Sequence, residues 1–104
     1  MGVIVVGQED EVAPGSALRV VVEGTPIAVF NADGELYAIG DTCTHEEFSL
    51  SDGELVDDYI VECPLHGARF DIRTGNALCL PATVSAGSYP VWVEDGAIKV
   101  EVPD

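Results

Sequence analysis

Six short stretches rich in β-branched residues read as period-two segments, most openly Ile98 to Val102, where apolar and polar positions alternate: Leu18 to Val22, Ile27 to Phe30, Leu36 to Ile39, Tyr59 to Val61, Val91 to Val93 and Ile98 to Val102. Such alternation turns one face of an extended chain to a core and the other to water. The β-branched residues that fill these stretches suit a pleated surface, so each reads as a short strand. Turn-forming sequences stand around and between them: Glu23-Gly24-Thr25-Pro26, Ala32-Asp33-Gly34, Ser51-Asp52-Gly53, Arg73-Thr74-Gly75 and Glu94-Asp95-Gly96. No stretch has a sustained helical period with a cap at each end, although Pro14 to Ala17 suits a single turn. The expected class is all-β, an antiparallel sandwich or barrel.

A chain of 104 residues, 47% apolar, suffices for one core, so a single domain spanning 1–104 is expected. The window Gly40 to Pro81 differs from its flanks, because all three cysteines and both histidines fall inside it. It reads as an inserted, site-bearing lobe, 40–81. The flanks, 1–39 and 82–104, must then pair with each other as a base, which brings the termini together.

Charge narrows the function. Nineteen acidic residues face four basic ones, Arg19, Arg69, Arg73 and Lys99, for a net charge of −15. A phosphate backbone or an anionic membrane surface would be repelled, and a basic protein partner would be attracted. No apolar run nears the roughly 18 residues that cross a bilayer, and Met1 to Val6 lacks the basic start and long apolar centre of a signal peptide. A soluble cytoplasmic monomer is expected. An odd number of cysteines, two of which fall in metal-ligand spacing, does not suit a disulfide framework.

Four ligand-type residues occur as two clipped pairs, Cys43-Thr44-His45 and Cys63-Pro64-Leu65-His66. Thiolates and imidazoles in equal number suit tetrahedral zinc or an iron–sulfur centre. Structural zinc sites usually group like ligands, Cys with Cys and His with His. Here each clip mixes one of each. That pattern fits a [2Fe–2S] centre in which two thiolates hold one iron and two imidazoles the other. A Cys₂His₂ zinc-stabilised protein-binding module is the alternative. Cys79 lies outside both clips and reads as a small buried hydrophobe.

The motifs carry a resemblance. Cys43-Thr44-His45 followed by Leu50-Ser51-Asp52-Gly53, then Cys63-Pro64-Leu65-His66-Gly67-Ala68-Arg69-Phe70-Asp71 and Thr74-Gly75, resemble the Rieske ferredoxin component of bacterial aromatic-ring-hydroxylating dioxygenase systems. The resemblance is dense over Asp41 to Pro81. It implies one [2Fe–2S] cluster per chain held by Cys43, His45, Cys63 and His66, a loop Leu80-Pro81-Ala82 covering it, and a carrier without substrate chemistry of its own. The implied partners are a flavin-containing reductase as donor and a terminal Rieske non-haem iron oxygenase as acceptor. An accessory Rieske subunit of another redox system is a further alternative.

Neutral imidazoles make such a cluster less negative than an all-cysteine one, which raises its potential to between roughly −150 and +300 mV. Respiratory Rieske proteins add two loop cysteines and two hydroxyls near the sulfurs; the corresponding positions here are Phe48, Leu65, Ala68 and Phe70. Their absence places the expected potential at the low end of that range. With two histidines, both in the clips, the chain has none left for an oxygenase iron site, and no Gly-x-Gly-x-x-Gly offers a flavin or nicotinamide site. Glu46 and Glu47, beside His45, are candidates for partner docking.

Overall fold

In a computed structural model, residues 2–41, 49–57, 59–63, 68–78 and 86–102 of the chain are described. They form β1 (Gly2–Gln8), β2 (Ala17–Val22), β3 (Thr25–Ala32), β4 (Glu35–Gly40), β5 (Glu54–Asp57), β6 (Ile60–Glu62), β7 (Arg69–Asp71), β8 (Ser88–Tyr89), β9 (Val91–Glu94) and β10 (Ala97–Val102), with 3₁₀ turns at Glu9–Glu11 and Leu50–Asp52. Every strand pairing among these residues is antiparallel. The six expected strands are all present.

Four more, β1, β5, β7 and β8, escaped the pattern for two reasons. Val3 to Val6 is apolar without a break, and its register against β10 shifts between Val5 and Gly7, so no clean alternation survives. Of the other three, β5 and β7 begin and end on charged residues, Glu54 and Asp57, Arg69 and Asp71, and β8 holds two residues, so none offers an apolar run. At Pro14 the turn runs from Ala13 to Ser16, whose N–H donates to the Ala13 carbonyl at 2.9 Å, and Ala17 already opens β2.

Three sheets result, ordered β1-β10-β9, β2-β3-β4-β8 and β5-β6-β7. Three of the hairpins close through two-residue turns, Glu23-Gly24, Asp33-Gly34 and Asp95-Gly96. In each, both residues have positive φ, +54° and +96° at Asp33 and Gly34. This is the mirror-image turn whose twist matches that of paired strands.

The second sheet is the middle layer. Ile27, Val29 and Ala38 from one of its faces pack with Ile98, Val100 and Val102 of β10. Ala28, Phe30, Ala32 and Ile39 from the other face pack with Val61, Cys63, Ala68, Phe70 and Ile72 of the third sheet and its turns. Buried on both faces, β3 therefore reads as a nearly continuous apolar run, Pro26 to Phe30, where a one-sided strand would alternate. β1 pairs with β10 from Gly2↔Val102 to Gln8↔Ala97, so the first and last strands lie side by side.

Candidate metal centre

Cys63 follows β6 directly. Its residue is fully buried, and its N–H donates to the Ala68 carbonyl at 2.7 Å. That bond joins the two residues that flank 64–67, the segment that contains His66, and closes the base of the hairpin between β6 and β7. β6 and β7 extend the hairpin through Ile60↔Asp71, Val61↔Phe70 and Glu62↔Arg69.

The first clip is anchored in a different way. β4 ends at Gly40, and the next residue, Asp41, is a carboxylate 1% exposed. Its Oδ2 accepts from Nε of Arg19 at 2.9 Å and its Oδ1 from the Ser51 N–H at 2.8 Å. Its backbone carbonyl accepts from the Leu50 N–H at 2.6 Å, and its own N–H donates to the Pro26 carbonyl at 3.0 Å. Residues 41 and 50, on either side of the segment that contains Cys43 and His45, are thereby clamped together. The 3₁₀ turn Leu50–Asp52 has no side-chain cap from its preceding Ser49. Asp41 supplies an acceptor for one of its N–H groups from ten residues upstream.

A third closure flanks residues 79–85. Leu78 donates its N–H to the Arg69 carbonyl at 2.8 Å, and Ala86 donates to the Gly75 carbonyl at 2.7 Å. The backbones meet closely there: a Cβ on Gly75 would lie 2.5 Å from the Gly87 carbonyl oxygen, and one on Gly40 would lie 2.3 Å from that of Ala86.

The anchor points share one core. Leu50, Cys63, Ala68, Phe70 and Ile72 are fully buried in the same cluster, with Ala77 and Ala86 packed against it. Of the four expected ligands, Cys63 falls among the described residues and sits in this core. Cys43, His45 and His66 lie outside the described residues, as do Cys79, Glu46, Glu47, Phe48, Leu65 and the Leu80-Pro81-Ala82 loop. A thiol sealed in an apolar shell, beside the roots of a second Cys/His segment, fits a cluster of low net charge that two thiolates and two imidazoles would hold.

Beside this core, Arg73 makes a forked contact with Asp71, Nε to Oδ1 at 3.1 Å and Nη2 to Oδ2 at 2.9 Å, and stacks 4.4 Å over the Tyr59 ring. The hydrogen bonds from Arg73 hold the Asp71 carboxyl below the usual carboxylate range and raise the guanidinium in turn. Tyr59 meets Tyr37 edge-on at 5.7 Å, and the Tyr37 hydroxyl donates to Glu35 at 2.7 Å. That hydrogen bond, reinforced by burial, pushes the Tyr37 pKa up to about 12.

Sequence reasoning missed Arg19 and Asp41. The available signal was a basic residue within an otherwise apolar strand, in a chain that has only four.

A family model for the Rieske [2Fe–2S] domain matches residues 2–90. The 3-phenylpropionate/cinnamic acid dioxygenase ferredoxin subunit of Escherichia coli (strain K12) is 52% identical over 95 residues, 90% of this chain and 88% of that protein. Among solved structures, the Sphingomonas yanoikuyae B1 ferredoxin superposes with a TM-score of 0.90 at 37% identity, covering 98% of this chain and 100% of the other. A chain in a complex of reduced oxygenase and oxidized ferredoxin in carbazole 1,9a-dioxygenase superposes with a TM-score of 0.87 at 38% identity, covering 94% and 91%.

The chain belongs to the Rieske [2Fe–2S] family. Within it, this is a ferredoxin with one [2Fe–2S] cluster, an electron carrier rather than an enzyme. The expected all-β Rieske fold is the fold observed, and the zinc reading gives way to the cluster.

Proposed function

We propose that Cys43, His45, Cys63 and His66 hold the cluster, on a lobe formed by 40–81 over a base formed by 1–39 and 82–104. The carrier would take single electrons from a flavin-containing reductase in the cytoplasm and pass them to the terminal oxygenase of an aromatic-ring-hydroxylating dioxygenase. The carrying observation is the convergence of Leu50, Cys63, Ala68, Ala77 and Ala86, the flanks of all three loop segments, in one apolar core. A dioxygenase ferredoxin relative and a solved ferredoxin–oxygenase complex support the choice of partner.

When bound, the cluster accepts and returns one electron at a time. The chain's own residues set the conditions. Leu50, Val61, Phe70 and Ile72 keep water from the Cys63 thiol, and the Cys63–Ala68 and Asp41–Leu50 bonds hold the loop roots against rearrangement. Neither Ala68 nor Phe70, both fully buried, carries a hydroxyl to donate to sulfur, which keeps the potential low enough for a donor to an oxygenase.

Recognition follows from charge. All four basic side chains are in ion pairs, Arg19–Asp41, Arg69–Glu62, Arg73–Asp71 and Lys99–Glu94. The net −15 is therefore borne by carboxylates in excess of the chain's four cations. Such a surface steers a basic partner over a range of about 8–10 Å at physiological salt.

Stopped-flow reduction by a flavin-containing reductase, and reoxidation by a terminal oxygenase of this class, test the reading. Electrons should pass from one to the other only through this chain, with association rates that fall steeply as salt rises. A chain bearing zinc and no labile sulfide, or one that neither partner reduces or oxidises, would overturn it.

A further inference from the structure

We infer that Asp41 is a positioning residue for the cluster, and that with Arg19 it forms a latch holding the first ligand-bearing segment in place. The inference rests on Cys43 and His45 being ligands. Asp41 makes four hydrogen bonds to three separate elements: its N–H reaches Pro26 on β3, its carboxylate takes Arg19 of β2 and Ser51 of the 3₁₀ turn, and its carbonyl takes Leu50. These partners lie on both sides of 42–48, so the segment is closed at one residue.

The direction of Arg19 makes the arrangement specific. Arg19 pairs across the sheet with Ala28, and directly opposed residues point to the same face. Ala28 belongs to the core shared with Cys63, so Arg19 rises from the face of the middle sheet that carries the loop roots. The two partners differ in environment. Asp41 is 1% exposed whereas the Arg19 side chain is 49% exposed. Removing Arg19 strands a buried carboxylate; removing the Asp41 charge leaves a guanidinium with access to water.

Two residues of chain span at most about 7 Å, which keeps the Asp41 backbone within a Debye length of Cys43. A charge placed there acts on the ease of adding an electron. Paired, the two charges nearly cancel at a distance; unpaired, each acts with its own sign. The latch therefore keeps both loop shape and potential at their working values.

The test uses the holoprotein with Asp41→Asn, Arg19→Gln and, as a remote ion-pair control, Glu94→Gln. Film voltammetry should show the potential rising in Asp41→Asn and falling in Arg19→Gln, with little change in Glu94→Gln. Loss of visible absorption to an iron chelator should speed up by about tenfold or more in Arg19→Gln, and less in Asp41→Asn, whose amide oxygen still accepts from Ser51. Hydrogen exchange of the Leu50 and Ser51 amides should quicken in both. Unchanged exchange and chelator resistance in the two variants, or a potential shift in Glu94→Gln equal to that in Asp41→Asn, overturns the latch. If Cys43→Ala keeps both irons, the ligand reading fails instead, independently of the exchange result.

Discussion

The two faces of the middle sheet are built on different principles. Toward β10, Ile27, Val29 and Ala38 meet Ile98, Val100 and Val102, and tight hairpin turns close the strands. Apolar burial and local turn chemistry account for that half. Toward the third sheet, strands of three or four residues are joined by segments whose roots are fastened by one or two bonds: Cys63 to Ala68, Asp41 to Leu50 and Ser51, Ala86 to Gly75. The four-ligand site proposed here cannot be a regular ladder, because every ladder bond commits backbone that the loops need free. Regular pairing dominates one face and loop roots the other, while an apolar core packs both, which suits a protein proposed to keep its cluster geometry as electrons enter and leave.

The comparison is broken most sharply by one substitution on each face. Cys63→Ala should abolish the [2Fe–2S] spectrum, as should His45→Ala or His66→Ala. Ile98→Ala should cost about 2–5 kcal/mol in urea unfolding yet leave the spectrum unchanged. A Cys63→Ala protein with a full complement of iron and labile sulfide would contradict the division.

Glycines sharpen it next. Gly34 has open space around its Cα and a φ of +96°, so Gly34→Ala should cost about 1–2 kcal/mol of turn strain and nothing else. At Gly40 a Cβ would press within 2.3 Å of the Ala86 carbonyl oxygen. Gly40→Ala should cost about 1–3 kcal/mol and, unlike Gly34→Ala, change the rate of cluster loss to a chelator.

A smaller effect is expected from added hydroxyls. Ala68→Ser and Phe70→Tyr should each raise the reduction potential by roughly tens of millivolts, measured by voltammetry, because each brings a donor into the core around Cys63. Unchanged potentials in both would mean that these positions do not face sulfur.

The smallest effect concerns pH. Arg73 depresses the Asp71 carboxyl in the folded state, so its contribution is fully present above the ordinary carboxyl pKa of about 3.9 and disappears as pH falls through the lower folded value. The stability difference between the native chain and Asp71→Asn should therefore be constant near neutrality and shrink in acid. Denaturant midpoints at pH 7 and at pH near 3 give the comparison; a difference that grows in acid refutes the assignment.

The same division explains what could be read in advance. The expected strands at Leu18 to Val22, Ile27 to Phe30, Leu36 to Ile39 and Ile98 to Val102 lie in the two sheets of the regular half, where apolar, β-branched positions record burial, on both faces in β3 and in alternation in β10. Strands β5 and β7, in the loop-bearing half, begin and end on charged residues and so lack the apolar run that marks Tyr59 to Val61. The two clips stand out in the sequence because their Cys and His types and spacings suit metal ligands, the role proposed for them.

The sequence by itself determined the class of strand, the turns at Asp33-Gly34 and Asp95-Gly96, the sign of the charge and the two Cys/His clips on which the proposed ligand set rests, since each depends on residues adjacent along the chain. Only the tertiary structure decided that Arg19 meets Asp41, 22 residues away, that Asp41 closes the turn at Leu50–Asp52, and that Gly40 and Gly75 lie against Ala86 and Gly87. Those contacts depend on how sheets stack and where loops return. The burial that drives stacking depends on area rather than sequence distance, so it leaves no local signature at the residues it brings together.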